Sequence, residues 1–362
     1  FVVKIKIIMN VCIIGNGLTS LSLAKALLNE GVSVDIFFDK KSHKINKSRT
    51  IGISRSNVNF FNEKISDISN FLWPIEKIEI FSENLNNEKI LNFQNNKKQL
   101  FSIIKNYDLY NFLYKSLIKN KLFKLKNLKN LSIGNYKLVI NCDQKNFLTK
   151  KFFHKKMNKK YNSYAYTTII EHKKFLNNNA AVQIFTKRGP LAFLPISNNK
   201  TSVVYSIKGF KEVDLKSLIK KYNFKYSIKK INEVFSFELK SSTLRNYYSK
   251  NILAFGDLLH KIHPLAGQGF NMTIRDIKLL MDLIKFRINH GLDIDKSICI
   301  DFEKNIKHKN YLFSNGIDFV YEFFNFEAKL NNSFLSRSIK LLGTNEYANK
   351  MFRKIADDGI TI

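Results

Sequence analysis

The residues whose types and spacing are best suited to chemistry lie between Gly256 and Asn271. Their sequence, GDLLHKIHPLAGQGFN, places a Gly-Asp pair after a short apolar run and a Gly-Gln-Gly turn before a helical pattern. Glycine lets the backbone approach a ligand closely, and unpaired N–H groups at a helix N-terminus favour anionic or electron-rich atoms. The segment therefore predicts a cofactor site.

Two regular elements position this segment. Upstream, Ile252–Phe255 is an apolar run typical of a fully buried strand. Downstream, apolar residues recur at spacings that alternate between three and four, which predicts an amphipathic helix with one face on a core. They are Ile274, Ile277, Met281, Ile284 and Ile288.

A strand, turn, helix, strand pattern opens the chain. Val11–Ile14 is typical of a buried strand, Gly15 and Gly17 of a tight turn, and Val32–Phe38 of a second strand. The helix between them has Leu21, Ala24 and Leu28 on its inner face. In such a unit the glycines permit the approach of a pyrophosphate to the helix N-terminus.

This opening unit departs from the usual dinucleotide fingerprint at two positions. Ser20 stands where a third small Gly or Ala is expected, and it is small enough to keep the helix close to the strand. The acid that would bind the adenosine ribose comes one residue late, at Asp39. Both residues are retained as predicted cofactor contacts.

The segment GD-x-x-H-x-x-HPLAGQGFN resembles the second flavin-binding motif of the FAD-dependent aromatic hydroxylases, and within them the ubiquinone-biosynthesis branch. In that family the Asp of the Gly-Asp pair hydrogen-bonds the ribityl chain, and the Gly-Gln-Gly backbone meets the pyrimidine edge of the flavin. By position these roles fall on Asp257 and on Gly267, Gln268 and Gly269. The same motif makes further residues candidate cofactor contacts: Gly256, Pro264, Ala266 and Asn271.

Two further segments are similar to this family. Arg49-Thr50-Ile51-Gly52-Ile53-Ser54 resembles its Arg-Thr-x-Ala-Leu-Ser segment, whose arginine lies along the flavin, although an ordinary solvent-facing arginine would explain Arg49 equally well. Asp143 stands in the family's Ala-Asp-Gly position, but Gln144 and Phe147 replace its usual Gly and Ser. These departures fall at positions that the family links to the docking of NAD(P)H, the electron donor that the resemblance implies.

Alternating and β-branched segments predict a second sheet. Trp73–Ile80 alternates apolar and charged residues, which is typical of a half-exposed strand. Tyr164–Ile170, Ala180–Phe185 and Ser202–Ser206 are further predicted strands, and GP-x-A-x-LP at Gly189–Pro195 is similar to the family's substrate-domain hairpin. Two helical patterns follow, one marked by Phe302, Ile306, Phe313, Ile317, Val320 and Phe324 and one at Phe334–Leu342.

The predicted fold class is α/β, a Rossmann-like FAD-binding domain with an inserted, mostly antiparallel β-sheet substrate domain and C-terminal helices. The FAD-binding domain is expected to be discontinuous, over residues 1–72, 101–150 and 248–295. The substrate domain is assigned to residues 73–100 and 151–247. The C-terminal helical region covers residues 296–362.

The chain is strongly basic, with 60 Lys and Arg against 29 Asp and Glu among 362 residues and a net charge of +31. Such a balance suggests nucleic acid or an anionic membrane. The basic residues are spread along the chain, as an AT-rich coding bias would produce, and no nucleic-acid partner is expected. One cluster, Lys150, Lys151, Lys155, Lys156, Lys159 and Lys160, predicts a solvated loop with a weak pull toward anionic lipid.

The sequence favours a cytoplasmic chain and leaves association with the inner membrane open. Cys12, Cys142 and Cys299 form no paired motif, which fits a reducing compartment. The apolar N-terminus is broken by lysines and matches neither a signal peptide nor a membrane span, and Met9 is a candidate natural start. No segment contains about 18 uncharged apolar residues in a row.

The resemblance implies an FAD-dependent monooxygenase that hydroxylates a polyprenylated phenol or quinone precursor in ubiquinone biosynthesis through a flavin hydroperoxide. Because the cofactor carries the chemistry, no catalytic side chain is assigned. His260 and His263 have a spacing that suits a metal, but no further ligand follows at motif spacing, and no metal is predicted. A non-hydroxylating scaffold subunit, a prenyl-chain flavin reductase and assembly into a complex or homo-oligomer stay open.

Overall fold

The structure is a computed structural model that describes residues 9–39, 47–94, 99–209, 213–262 and 267–330, with residues 350, 354, 357 and 358 near the C-terminus. Its strands are β1 (Asn10–Ile14), β2 (Ser33–Phe38), β3 (Thr50–Ser54), β4 (Trp73–Ile75), β5 (Lys77–Ser82), β6 (Glu88–Gln94), β7 (Phe101–Lys105), β8 (Phe123–Asn127), β9 (Val139–Asn141), β10 (Lys156–His172), β11 (Ala180–Thr186), β12 (Gly189–Pro195), β13 (Lys200–Lys208), β14 (Ile228–Ile231), β15 (Phe235–Leu244), β16 (Tyr248–Ser249), β17 (Ile252–Ala254) and β18 (His260–Lys261). Its α-helices are α1 (Leu18–Asn29), α2 (Arg55–Phe60), α3 (Asn106–Leu117), α4 (Phe147–Phe152), α5 (Leu215–Tyr222), α6 (Gln268–Asn289) and α7 (Lys296–Leu330).

The first sheet has the order β16-β17-β9-β1-β2-β8. All neighbours are parallel except β16, which runs antiparallel to β17. Its central strands are apolar on both faces, since Val11–Ile14 and Ile252–Ala254 are fully buried, as a parallel sheet covered by helices requires. The Rossmann-like α/β architecture predicted from the sequence is confirmed.

The second sheet is mostly antiparallel and has the order β18-β15-β10-β13-β12-β11-β5-β6, with β14 also paired to β10. The predicted hairpin is present, because β11 and β12 pair antiparallel around the turn before Gly189. A Cβ at Gly189, where φ is +139°, would lie 2.0 Å from the carbonyl oxygen of Ser206, so only glycine fits there.

A small third sheet with the order β3-β7-β4 lies between the other two. Its presence corrects the prediction that Trp73–Ile80 forms one strand. The chain breaks at Glu76, whose N–H donates to the carbonyl of Asn179 at 2.9 Å, so β4 joins the third sheet and β5 joins the second. The predicted boundary at residue 73 therefore runs through a sheet.

Another expectation, for the lysine cluster, was wrong. The lysine cluster is not a loop, since Lys150 and Lys151 end α4 and the cluster continues into β10. Lys159 lies 3.5 Å from a carboxylate oxygen of Asp318, which ties β10 to α7.

The C-terminal part of the described chain is dominated by α7, which packs Phe302 and Phe313 inward. The second predicted helix, Phe334–Leu342, lies outside the described residues. Over the ranges that the structure describes, no helix has the length and apolarity needed to cross a membrane.

Candidate cofactor site

Three glycine- or aspartate-containing loops meet at the carboxyl edge of the first sheet. They follow β1, β9 and β17, which are adjacent and parallel, so their carboxyl ends point the same way. A Cβ added to Gly15, where φ is +107°, would lie 3.3 Å from the Cβ of Asp143 and 3.4 Å from Oγ of Ser20. A Cβ on Gly256, where φ is +60°, would lie only 2.7 Å from Cγ2 of Thr19. The close packing of these loops therefore depends on glycine.

The N-terminus of α1 has open space in front of it. Gly17 is its N-cap, no side chain caps the helix, and the first turn contains no acidic residue. A Cβ added at Gly17 would meet no atom of the described residues within 4 Å. The free N–H groups and the helix dipole at this position suit an anionic group such as a phosphate.

The loop after β9 holds the loop after β17. Asp143 accepts the N–H of Lys145 on Oδ1 at 2.9 Å, and its carbonyl accepts the hydroxyl of Thr149 at 2.6 Å, which closes a tight turn. Gln144 then donates from Nε2 to the carbonyl of Asp257 at 2.6 Å. Gln144, which departs from the family pattern, thus fixes the backbone of Asp257 while the Asp257 side chain stays exposed.

The N-terminus of α6 lies against β3. Its N-cap, Gly267, has φ of +65° and no side-chain cap, and a Cβ there would lie 3.5 Å from the backbone nitrogen of Gly52. Among the described residues, a Cβ on Gly269 would come near only Ile262, at 4.0 Å. The described part of the chain therefore leaves room beside the first turn of this 22-residue helix.

Asn271 fixes this helix terminus in place. Its side-chain nitrogen donates to the carbonyl of Gly52 at 2.9 Å, and its side-chain oxygen accepts from the N–H of Ser54 at 2.9 Å and from Nδ2 of Asn57 at 3.0 Å. The amide is 2% exposed and engaged with protein groups. The side chain of Asn271 therefore fixes the position of the helix terminus.

A buried acid–imidazole pair joins α6 to β18, and the sequence did not predict it. Nε2 of His260 lies 2.5 Å from a carboxylate oxygen of Asp276, whose other oxygen accepts from Asn310 of α7 at 3.2 Å. Burial lowers the pKa of His260, but the adjacent Asp276 raises it more, so the net shift is upward. Asp276 lies beside Ile277 of the apolar stripe of α6. An acidic residue next to that stripe was the sequence signal that could have indicated the pair.

Arg275 of α6 lies near Asp357, a residue close to the C-terminus. The guanidinium of Arg275 stacks 4.4 Å from the centre of the Phe313 ring, and burial lowers its pKa to about 10. The carbonyl of Asp357 accepts the hydroxyls of Ser54 and Ser56, both at 2.9 Å, and its carboxylate accepts the N–H of Ser56 at 2.8 Å. No sequence pattern indicated this return of the chain to β3.

The remaining predicted residues have these positions. Asp39 is exposed at the carboxyl end of β2, and Arg49 is exposed just before β3, where its carbonyl accepts the N–H of Asn106 at 3.0 Å. Pro264 and Ala266, together with His263, lie outside the described residues. Within the described ranges, no three His, Cys, Asp or Glu side chains are grouped as a metal site would require.

Solved structures similar to this chain include a monooxygenase and a protein bound to FAD. p-Nitrophenol 4-monooxygenase PnpA from Pseudomonas putida superimposes with a TM-score of 0.79 at 11% identity, covering 98% of this chain and 99% of that one. HpxO from Klebsiella pneumoniae, solved with FAD and uric acid, gives a TM-score of 0.75 at 10% identity over 96% of this chain and 97% of its own. At such identities the likeness establishes the fold.

Sequence relatives are enzymes of ubiquinone biosynthesis. Ubiquinone biosynthesis monooxygenase COQ6 of Schizosaccharomyces pombe is 24% identical over 50% of this chain and 48% of its own length. Ubiquinone hydroxylase UbiL of Rhodospirillum rubrum is 25% identical over 37% of this chain and 33% of its own. The chain thus matches half or less of the length of these relatives. No family model matches the chain.

The fold and the meeting of glycine turns at one sheet edge define a flavin-dependent monooxygenase architecture. The chain is similar in sequence to ubiquinone-biosynthesis hydroxylases and in fold to FAD-dependent monooxygenases. The resemblance stated from the sequence is confirmed.

Proposed function

We propose that this chain is an FAD-dependent monooxygenase that hydroxylates a polyprenylated phenol or quinone precursor in ubiquinone biosynthesis. The observation that carries the proposal is the pair of glycine-led helix N-termini, α1 and α6, neither of which has a side-chain cap among the described residues. An elongated flavin dinucleotide needs two such positions, one for its pyrophosphate and one for the electron-rich pyrimidine edge of its ring system.

The residues divide the proposed cofactor between them. The turn at Gly15 and Gly17 holds the pyrophosphate, and Asp39, exposed at the end of the next strand, binds the adenosine ribose. Asp257, whose backbone Gln144 holds, binds the ribityl chain. The backbone at Gly267–Gly269 meets the pyrimidine edge, with Arg49 alongside.

When bound, FAD supplies the electron transfer and the activation of oxygen. The protein contributes electrostatics, because the positive end of the α6 dipole stabilises negative charge on a ring edge by on the order of 1 kcal/mol or more in a dry site. The protein also excludes water from the site. The hydroxyl of Thr50 on β3 donates to that of Ser202 on β13 at 3.0 Å, which brings the second sheet against β3, the strand that contacts the N-terminus of α6. An apolar substrate would enter between this sheet and the α6 terminus.

The finer features of the proposal are the electron donor, the domain roles and the partners. NAD(P)H is the proposed donor, residues 73–100 and 151–247 are the proposed substrate domain, and residues 296–362 the C-terminal helical region. A polyprenylated substrate resides in a bilayer, so we also propose peripheral association with the inner membrane. Assembly into a biosynthetic complex or homo-oligomer stays a prediction.

The proposed function is tested by turnover of the purified chain under ¹⁸O₂ with NAD(P)H and prenylated phenols, followed by mass spectrometry. A product that contains one labelled oxygen is expected. NAD(P)H oxidation without a labelled product would favour a prenyl-chain reductase, and flavin binding without reduction would favour a scaffold subunit. Either result would overturn the hydroxylase.

One substitution tests the assignment of Asp257. Asp257→Ala is expected to lower the bound flavin per chain sharply, since its carboxylate is exposed toward the proposed cofactor. Asp282→Ala is the matched control, because Asp282 is an exposed aspartate on the outer side of α6. Equal flavin content in the two variants would contradict the role given to Asp257.

A further inference from the structure

A groove of about 1010 Å³ lies between the outer face of α7 and the ends of β10 and β15. Its walls include Met157 of β10, Arg245 and Tyr248 from the β15–β16 connection, and Ile300, Lys304 and Tyr311 of α7. In the described part of the chain, none of its lining residues belongs to the glycine turns. We refer to these walls and the adjoining exposed side of α7 as the α7 groove face.

The α7 groove face has an excess of positive charge. Lys307 is paired with Glu303 at 2.5 Å, and Glu303 also accepts the backbone N–H of Tyr247 at 3.1 Å. Arg245 and Lys304 are exposed, and neither takes part in an ion pair among the residues that the structure describes. Their charges are therefore left to attract an anionic partner.

The same face exposes large apolar side chains. Tyr311 is 51% exposed, and Phe319, two helical turns further, is 68% exposed. Ile300, Leu312 and Met157 are each more than two-fifths exposed. Residues 300, 304, 308, 311, 315 and 319 of a helix fall on one side, so Ile300, Tyr311 and Phe319 share a stripe with Lys304. An exposed apolar patch of this extent marks an interaction surface.

We infer that the α7 groove face docks the chain on an anionic lipid bilayer. A basic stripe interleaved with aromatic and aliphatic side chains lets the cations reach lipid phosphates while the apolar groups enter the headgroup boundary. The net charge of +31 disfavours a second copy of the chain as the occupant. The inference gives a surface to the membrane association proposed above, and it requires neither bound flavin nor turnover.

The test compares two charge-reversal variants for binding to sedimented vesicles of phosphatidylcholine with phosphatidylglycerol. The groove variant is Arg245→Glu with Lys304→Glu. The control is Lys119→Glu with Lys121→Glu, which changes the net charge equally. Its two lysines are exposed beside β8, at the opposite edge of the first sheet from β16. Folding is checked by thermal melting, and flavin content is recorded alongside.

The groove variant should bind these vesicles about tenfold or more weakly than the parent, since each cation near the surface contributes on the order of 1 kcal/mol. The control variant should bind as the parent does, and vesicles of phosphatidylcholine alone should bind little of any chain. Equal loss in both variants would overturn the inference, because net charge alone would explain it. So would a parent chain that ignores anionic vesicles, or one that forms dimers which only the groove variant breaks. A chain without flavin that still docks through the groove would support this inference and contradict the proposed function.

Discussion

The side-chain oxygen of Asn271, in the first turn of α6, accepts the backbone N–H of Ser54 at 2.9 Å across 217 positions of sequence. Together with the bond from the Asn271 amide to the carbonyl of Gly52, this contact joins the helix terminus to two backbone groups on one edge of β3. A buried amide that bonds two backbone groups fixes the distance between them. The glycine turn at Gly267 is therefore held against β3 before any ligand binds.

Asn271→Ala is expected to lower the free energy of unfolding by about 2 kcal/mol or more, since it leaves the N–H of Ser54 and the carbonyl of Gly52 buried without partners. Urea denaturation measures the change. Asn305→Ala is the control, because Asn305 is exposed and bonds only to the carbonyl of Asp301 in its own helix. Similar losses in the two variants would show that the Asn271 contacts contribute little.

Gly17→Ala should weaken FAD binding without affecting the fold. Gly17 has φ of −89°, which alanine adopts freely, and its added methyl meets no atom of the described residues within 4 Å. In the proposed complex the methyl group would meet the ligand. Gly134→Ala, also unobstructed but remote from the turns, is the control. Equilibrium dialysis of FAD gives both affinities, and equal values would remove Gly17 from the proposed pyrophosphate site.

Gly269→Ala should move stability and flavin affinity in opposite directions. Alanine in a helix is more favourable than glycine by roughly 1 kcal/mol, so the chain without flavin should become more stable. The new methyl would project into the space assigned to the pyrimidine edge, so FAD affinity should fall. Gly316→Ala in α7 should give the stability gain alone, since nothing lies within 4 Å of it. Unchanged FAD affinity in Gly269→Ala would contradict the assigned position of the ring.

The His260–Asp276 pair makes stability depend on pH. The folded-state pKa of His260 is raised above 6.5, because the nearby Asp276 outweighs burial. The stabilisation is therefore complete below about pH 6.5 and is lost as the pH rises through the folded-state value. Asp276→Asn removes the charge that raises this pKa and should abolish the decline. Unfolding free energies measured across neutral and alkaline pH test this, and a parent chain with no decline would refute it.

Much of the fold could be predicted because its signals are local. Gly15 and Gly17 follow a fully apolar strand, and Gly267 and Gly269 precede an apolar stripe of helical period, so each turn and its elements are specified within about twenty residues. The parallel pairing of β1 with β2 follows in the same way from the strand, turn, helix, strand pattern at the start of the chain.

What could not be predicted depends on contacts between distant parts of the chain. Nothing near Asn271 indicates Ser54 as its partner, and nothing near Glu76 shows that Asn179 will draw it out of a continuous strand. The lysine cluster was assigned to a loop because its charge outweighed its alternation, yet pairing with β15 makes its second half a strand. Tertiary pairing overrode local composition in each case.

The central claim is that α1 and α6 hold the two ends of one flavin dinucleotide. A crystal structure of the chain with FAD tests it most directly. We expect the pyrophosphate to lie within hydrogen-bond distance of the backbone N–H groups that follow Gly17. We expect the pyrimidine edge of the flavin to lie against the backbone of Gly267–Gly269. FAD bound away from both turns, or a chain that takes up no FAD at saturating concentration, would contradict it.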